Sequence, residues 1–138
     1  NSSMPVQDIQ MFKMDGGEGF VVFNGPDEQL VSGLAMGADG GIGGTYGVMP
    51  ELYIKIMELV EAGDIPKARD IQNAVDGIIY KMCSCRGNLY AVMKEILNIR
   101  EGLKLGSVRK PMPGLVDSDM PCVKECADMI GEAIEKYR

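Results

Sequence analysis

No histidine and no tryptophan occur among the 138 residues, and basic residues are a minority, with 14 Lys and Arg against 20 Asp and Glu. The missing imidazole removes the usual general base, and with it any Ser–His or Cys–His nucleophile pair within this chain. Chemistry here falls to carboxylates, lysines, tyrosines, hydroxyls and backbone groups. The formal net charge of -6 repels phosphate backbones, and no basic run interleaved with aromatics offsets it. Nucleic acid is therefore not an expected partner. No apolar run is long enough to cross a bilayer, so no membrane partner is expected either. No charged-then-apolar targeting segment opens the chain, and a cytoplasmic setting is the default expectation.

Cysteine is sparse: Cys83, Cys85, Cys122 and Cys126. Their spacings, C-x-C and C-x3-C, differ from the C-x2-C knuckle that zinc sites favour, so no metal site is expected. Cys122 and Cys126 stand one helical turn apart, on the side that carries Val123, Ile130 and Ala133. The cysteines are read as buried free thiols.

What the chain does have divides into two parts. Over the first 45 residues, short apolar runs alternate with helix-like segments. Pro5 to Met14 predicts a helix with Val6, Ile9, Met11, Phe12 and Met14 mostly on one side, ended by Gly16 and Gly17. Phe20-Val21-Val22-Phe23 is an unbroken apolar run, as in a parallel strand buried on both faces. Pro26 and the acids after it suit a first helical turn, continued by Gln29 to Met36. Ala38 to Thr45 is glycine-dense around Ile42 and predicts a second short strand. Helix, strand, helix, strand with short connections is the rhythm of βα units around a parallel sheet. The remainder is helical: Val48 to Val60, a helix opened by Asp64 and Pro66, one capped by Asn88, and a last from Met120 to Tyr137.

Two strands do not make a buried parallel sheet, because each needs neighbours and covering helices. The sequence also opens on Asn-Ser-Ser without methionine. The expectation is the C-terminal part of a larger protein, with the upstream half of the same protein as a partner.

The residues most suited to meet a ligand lie in two glycine-marked loops, Gly25–Glu28 and Gly40–Tyr46. Asn24-Gly25-Pro26-Asp27-Glu28 follows a predicted strand, where open α/β sheets and βα barrels bind ligands. Adjacent carboxylates there can accept hydrogen bonds from several hydroxyls of a polyol. They also complement a helix dipole without any ligand, and spacing alone leaves both readings open. The second loop fails as a nucleotide motif, because Tyr46 stands where the third glycine of GxGxxG belongs and no Gly-Lys-Ser/Thr follows. It remains either a backbone that lets a ligand come close or a tightly packed barrel strand.

The runs Phe23-Asn24-Gly25-Pro26-Asp27-Glu28, Ser32-Gly33-Leu34 and Gly37-Ala38-Asp39-Gly40-Gly41-Ile42-Gly43-Gly44-Thr45-Tyr46, with Arg109-Lys110-Pro111 farther on, resemble the dihydrodipicolinate synthase/N-acetylneuraminate lyase family of class I pyruvate aldolases. The likeness spans nearly the whole chain. It implies an α/β fold, the C-terminal part of a (β/α)8 TIM barrel followed by a C-terminal helical extension. Residues 1–60 would be the last βα units and residues 61–138 a three-helix extension, in an enzyme usually assembled as a homotetramer.

The implied activity is Schiff-base cleavage of a sugar acid, N-acetylneuraminate, to pyruvate and N-acetylmannosamine, with no cofactor beyond the covalent bond to substrate. In this family a buried lysine forms the imine and a tyrosine relays the proton. Lys13, Lys55 and Lys81 fall on predicted helices, so both catalytic residues are expected upstream of Asn1. By match to the family pattern, Gly25, Asp27 and Glu28 would meet the sugar hydroxyls beside Gly43, and Ser2 would replace a threonine near the lysine. Gly44 stands where serine is usual, and Met112 where an aromatic is common. The nearest alternative is dihydrodipicolinate synthase or another pyruvate-dependent aldolase of the family. A different class, a non-catalytic helical interaction module built from residues 46–138, would have the tail folding alone.

Overall fold

A computed structural model describes residues 5–138. The element order is α1 (Gln7–Gly16), β1 (Phe23–Asn24), α2 (Leu30–Ala35), β2 (Gly40–Gly41), α3 (Pro50–Glu61), α4 (Ile65–Cys83), α5 (Leu89–Glu101) and α6 (Met120–Tyr137), with 3-10 turns at Asp27–Gln29, Thr45–Gly47 and Asp117–Asp119. The two strands pair in parallel, Phe23 opposite Gly40 and Asn24 opposite Gly41. Flanking bonds extend the ladder, with Asp39 N–H donating to the Val22 carbonyl at 2.8 Å and Ile42 N–H to that of Asn24 at 3.0 Å.

The first βα segment is less buried than its sequence suggests. Only Ile9 of α1 is buried, while Met11, Phe12 and Met14 are exposed, as are Phe20 and Val21 before β1 and Ile42 after β2. Their pattern asks for neighbours on both faces of a parallel sheet, and two short strands supply none on the outer sides. Lys13 anchors α1 to the sheet, donating to the Phe20 carbonyl at 2.7 Å and to Asp39 at 3.0 Å, and Asp39 also accepts from Val22 N–H at 2.8 Å.

The helical part behaves as its periodicity predicts. Ile71, Val75, Ile78 and Met82 of α4 are buried at helical spacing, and Val123, Cys126, Ile130 and Ala133 of α6 face them across the core. Asp64 caps α4 through the Lys67 amide, and Asn88 caps α5 through that of Tyr90 at 2.9 Å. An Asn88→Ala variant should lose about 1 kcal/mol, read as a lower midpoint in chemical denaturation. Gly102 ends α5 in the left-handed region at φ 66, which a glycine enters without Cβ strain. One core crosses residue 60: Leu52, Tyr53 and Ile56 of α3 pack with α4 and α6. The methionines are divided, with Met49, Met82 and Met93 in the core and Met11, Met14 and Met120 outside it. No helix among the described residues is long and apolar enough to cross a membrane.

Candidate active-site rim

Parallel pairing sets the loop after β1 and the loop after β2 at the same end of the sheet, beyond the strand C-termini. Buried Asn24 shapes the first loop, donating from Nδ2 to the Pro26 carbonyl at 2.7 Å and accepting from Gln29 Nε2 at 3.1 Å. A side chain at Gly33 would strike it, since a Cβ there would lie 2.5 Å from Asn24 Oδ1. Glycine at 33 therefore lets α2 sit down on β1.

Asp27 joins the two loops. Its Oδ2 accepts the Thr45 amide at 2.7 Å and the Thr45 hydroxyl at 2.5 Å. Thr45 Oγ1 also lies 2.5 Å from the Tyr53 hydroxyl. The single hydroxyl proton of Thr45 goes to the carboxylate, so Tyr53 donates to Thr45 and a three-residue relay runs from α3 to the first loop. All three residues are buried. Burial pushes the Asp27 carboxyl above its ordinary value, outweighing the downward pull of the Thr45 donors, and it drives the Tyr53 phenol far upward. Tyr46 stacks on Tyr53 with ring centroids 4.1 Å apart, and burial pushes its phenol up to about 12.

The glycines of the second loop make this closeness possible. A Cβ at Gly43 would stand 1.5 Å from Asp27 Oδ1, and one at Gly41 would stand 2.1 Å from the Tyr46 oxygen. Gly44 faces α5, where a Cβ would meet Met93 Cε at 3.2 Å and Tyr90 Cε1 at 3.3 Å. Glu28 is exposed in the first turn after Pro26, and Gly25 is half-buried just before it. Met112 sits in the loop between α5 and α6, where the Pro113 carbonyl accepts from Asn88 N–H at 3.0 Å. That bond holds the loop against the N-terminus of α5, and the Met112 side chain is exposed. Ser2 lies outside the described residues. Lys13, Lys55 and Lys81 lie on α1, α3 and α4, paired with Asp39, Glu58 and Glu125.

Two supporting residues escape sequence reasoning. Gln72 of α4 is buried, donates to the Asp27 carbonyl at 3.0 Å and to Asp76 at 2.8 Å, and accepts from Val31 N–H at 3.2 Å. It pins the rim loop and the start of α2 to the helical part. Asp119 accepts from the amides of Arg86 at 2.8 Å, Gly87 at 3.0 Å and Val116 at 3.1 Å. The Arg86 amide is the chief group holding the Asp119 carboxyl below its ordinary value. The depressed value means stability that is present above the unfolded carboxylate range and lost as pH falls through the folded one. Asp119→Asn should accordingly lower the melting temperature chiefly in the neutral region and change it little in acid, which flattens the acid limb of the profile.

Nothing in either part pairs the thiols: all four cysteines are free, and only Cys126 is buried, with Cys83 exposed and Cys85 and Cys122 between. Cys83 falls on the outer side of the last turn of α4, and this corrects the expectation of four buried thiols.

A carboxylate-centred rim at the C-terminal end of parallel strands, backed by packed helices, stands where βα folds place their ligand sites. Residues 2–129 match the dihydrodipicolinate synthetase family, and the chain belongs to that family. It is 61% identical over 99% of its length to an N-acetylneuraminate lyase of Mediterraneibacter gnavus, of which it covers 44%. It is 32% identical over 81% of its length to an N-acetylneuraminate lyase of Salmonella paratyphi B, covering 37% of that protein. A catalytic lysine mutant of Ruminococcus gnavus sialic acid aldolase superposes with a TM-score of 0.98 at 61% identity, covering 100% of this chain and 45% of the other. The fold is thus the C-terminal portion of a TIM barrel with its helical extension. The chain spans less than half the length of these relatives.

Proposed function

We propose that this chain forms the substrate-recognition rim of a Schiff-base lyase that cleaves N-acetylneuraminate to pyruvate and N-acetylmannosamine. The observation that carries this reading is the 61% identity to an N-acetylneuraminate lyase along 99% of the chain. The lysine that forms the imine and the tyrosine that relays the proton are assigned to the part of the barrel this chain does not span. A buried lysine has a lowered pKa and attacks the 2-keto group, and the protonated imine then accepts electrons from the breaking carbon–carbon bond. The relative carrying a catalytic lysine mutation is in keeping with that chemistry. No metal or separate cofactor is needed for it.

In this reading the residues of the present chain bind and orient the sugar acid. Exposed Glu28 offers a free carboxylate for hydroxyls, and backbone groups at Gly25 and Gly43 line the same end of the strands. Asp27 meets the sugar through its Oδ1 edge while Oδ2 stays committed to Thr45. Ser2 would stand near the lysine, and Met112 would close the side next to α5. Residues 1–60 would complete the barrel and residues 61–138 form the extension. The exposed apolar set Met11, Phe12, Met14, Phe20, Val21 and Ile42 suits burial against the rest of that barrel, and assembly as a homotetramer follows the family habit.

The test uses the full-length protein. Pyruvate with borohydride should add one pyruvate-sized mass increment to a single lysine, and N-acetylneuraminate should release pyruvate. No increment would overturn the aldolase reading, and an increment without sugar-acid cleavage would point to another pyruvate-dependent aldolase. Gly44→Ser restores the residue usual in the family. The contacts at 3.2 and 3.3 Å involve the mobile ends of Met93 and Tyr90, so the fold should tolerate it. The expected result is a lower KM for N-acetylneuraminate with kcat little changed.

A further inference from the structure

Three thiols gather where the turn after α4 meets the first turn of α6, and the recognition rim uses none of them. Cys122 is the third residue of α6, an 18-residue helix whose N-terminal end favours negative charge. Its sulfur lies 3.4 Å from the Ser84 hydroxyl and 3.5 Å from the Lys81 carbonyl, and the Cys85 and Cys126 thiols approach it as well. Burial pushes the Cys122 thiol up, but the Ser84 hydroxyl, the two neighbouring thiols and Lys81 together outweigh it, and the net shift is downward. Cys85 and Cys126 shift the other way, chiefly through burial.

The backbone holds two of these residues together independently of their sulfurs. Asp119, three residues before Cys122, accepts from the amides of Arg86 and Gly87, which directly follow Cys85. The segments carrying Cys85 and Cys122 are thereby clamped side by side. Cys126 is a less suitable partner for Cys122: it is fully buried, and its Cβ points parallel to that of Cys122 one turn along the same helix.

We propose that Cys122 and Cys85 form an oxidant-responsive dithiol, Cys122 reacting with hydroperoxides and Cys85 resolving the product to a disulfide. In the first step the Cys122 thiolate attacks the peroxide, a sulfur–oxygen bond forms as the oxygen–oxygen bond breaks, and the leaving oxygen takes a proton as alcohol or water. Sulfur is oxidised by two electrons and the peroxide reduced by two. In the second, the Cys85 sulfur attacks the sulfenic sulfur, and the displaced hydroxide leaves as water with the Cys85 proton. The bridge then reinforces covalently the junction that Asp119 holds by hydrogen bonds.

The experiment treats the full-length protein with hydrogen peroxide, alkylates the remaining thiols, and maps peptides without reduction. The expected product is a Cys85–Cys122 linked peptide lighter by two hydrogen atoms and reversed by dithiothreitol, with Cys83 and Cys126 alkylated. In Cys85→Ser the sulfenic acid should persist on Cys122 and be captured by dimedone. Oxidation of the exposed Cys83 ahead of Cys122, a Cys122–Cys126 bridge, or a Cys122 sulfinic acid formed without any Cys85 linkage would each overturn the proposal.

Discussion

Asp27→Ala is expected, on the proposed lyase function, to reduce kcat/KM for sugar-acid cleavage by about 100-fold, the scale that follows a displacement near 1 Å in a substrate-positioning element. Two effects converge. Without the carboxylate, the Thr45 amide and hydroxyl lose their acceptor inside the protein, and Tyr53 is left donating to a hydroxyl that has no fixed direction. An unsatisfied buried donor costs about 1–3 kcal/mol, so a lower denaturation midpoint should accompany the loss of activity. Asp27→Asn separates the two contributions, because its amide oxygen still accepts from Thr45 while its charge is gone. It should keep most of the stability. Its pH behaviour carries a sign: burial raises the folded pKa of Asp27, so the stability linked to the neutral carboxyl is present at low pH and lost as pH rises through that folded value. The Asn variant should remove this component. Equal stability and equal activity in Asp27→Ala and the parent would sink the role given to the loop-to-loop bond.

Gly43→Ala should come next in size. The added methyl would lie 1.5 Å from Asp27 Oδ1 and 2.9 Å from a Tyr46 ring carbon, so either the carboxylate or the loop must move. Overpacking of this kind costs about 1–3 kcal/mol, and here the displaced atom is the one assigned to substrate in the proposed function. The loss should show as a raised KM together with a lower kcat. Gly77→Ala is the control, since a Cβ there meets nothing within 4 Å and the position lies inside α4. That change should stabilise by about 1 kcal/mol through helix propensity alone and leave turnover untouched. If both variants behaved alike, close approach at Gly43 would not be the reason for glycine.

What the sequence disclosed and what it hid divide along a physical line. The helices of the second part were legible because their signals are local. Ile71, Val75, Ile78 and Met82 repeat at helical spacing, Asn88 caps by a bond two residues long, and α6 runs from Met120 to Tyr137 as its flanking signals indicate. The strands were legible in kind but not in extent. The predicted strand Phe20–Phe23 is observed as Phe23–Asn24, because pairing needs a neighbour and β2 is the only other strand among the described residues. The acidic pair was legible as a turn following a strand. Its work was not: spacing left Asp27 between hydroxyl acceptor and helix-dipole partner, whereas its carboxylate accepts from Thr45, 18 residues away. Gln72 and Asp119 gave no signal at all, since their bonds that join distant segments span 32 or more residues and each looks like an ordinary polar helix or turn position.

Gln72 has a practical consequence for anyone recombining enzymes of this kind. It lies on α4 yet fixes the carbonyl of Asp27 and the amide of Val31 with a single side chain. Extension and barrel end are therefore not interchangeable cassettes. A chimera that joined this barrel end to a foreign extension lacking glutamine at the equivalent place would fold with its Asp27 loop untethered. On the proposed function, the fault would surface as a changed substrate preference and not as a failure to express.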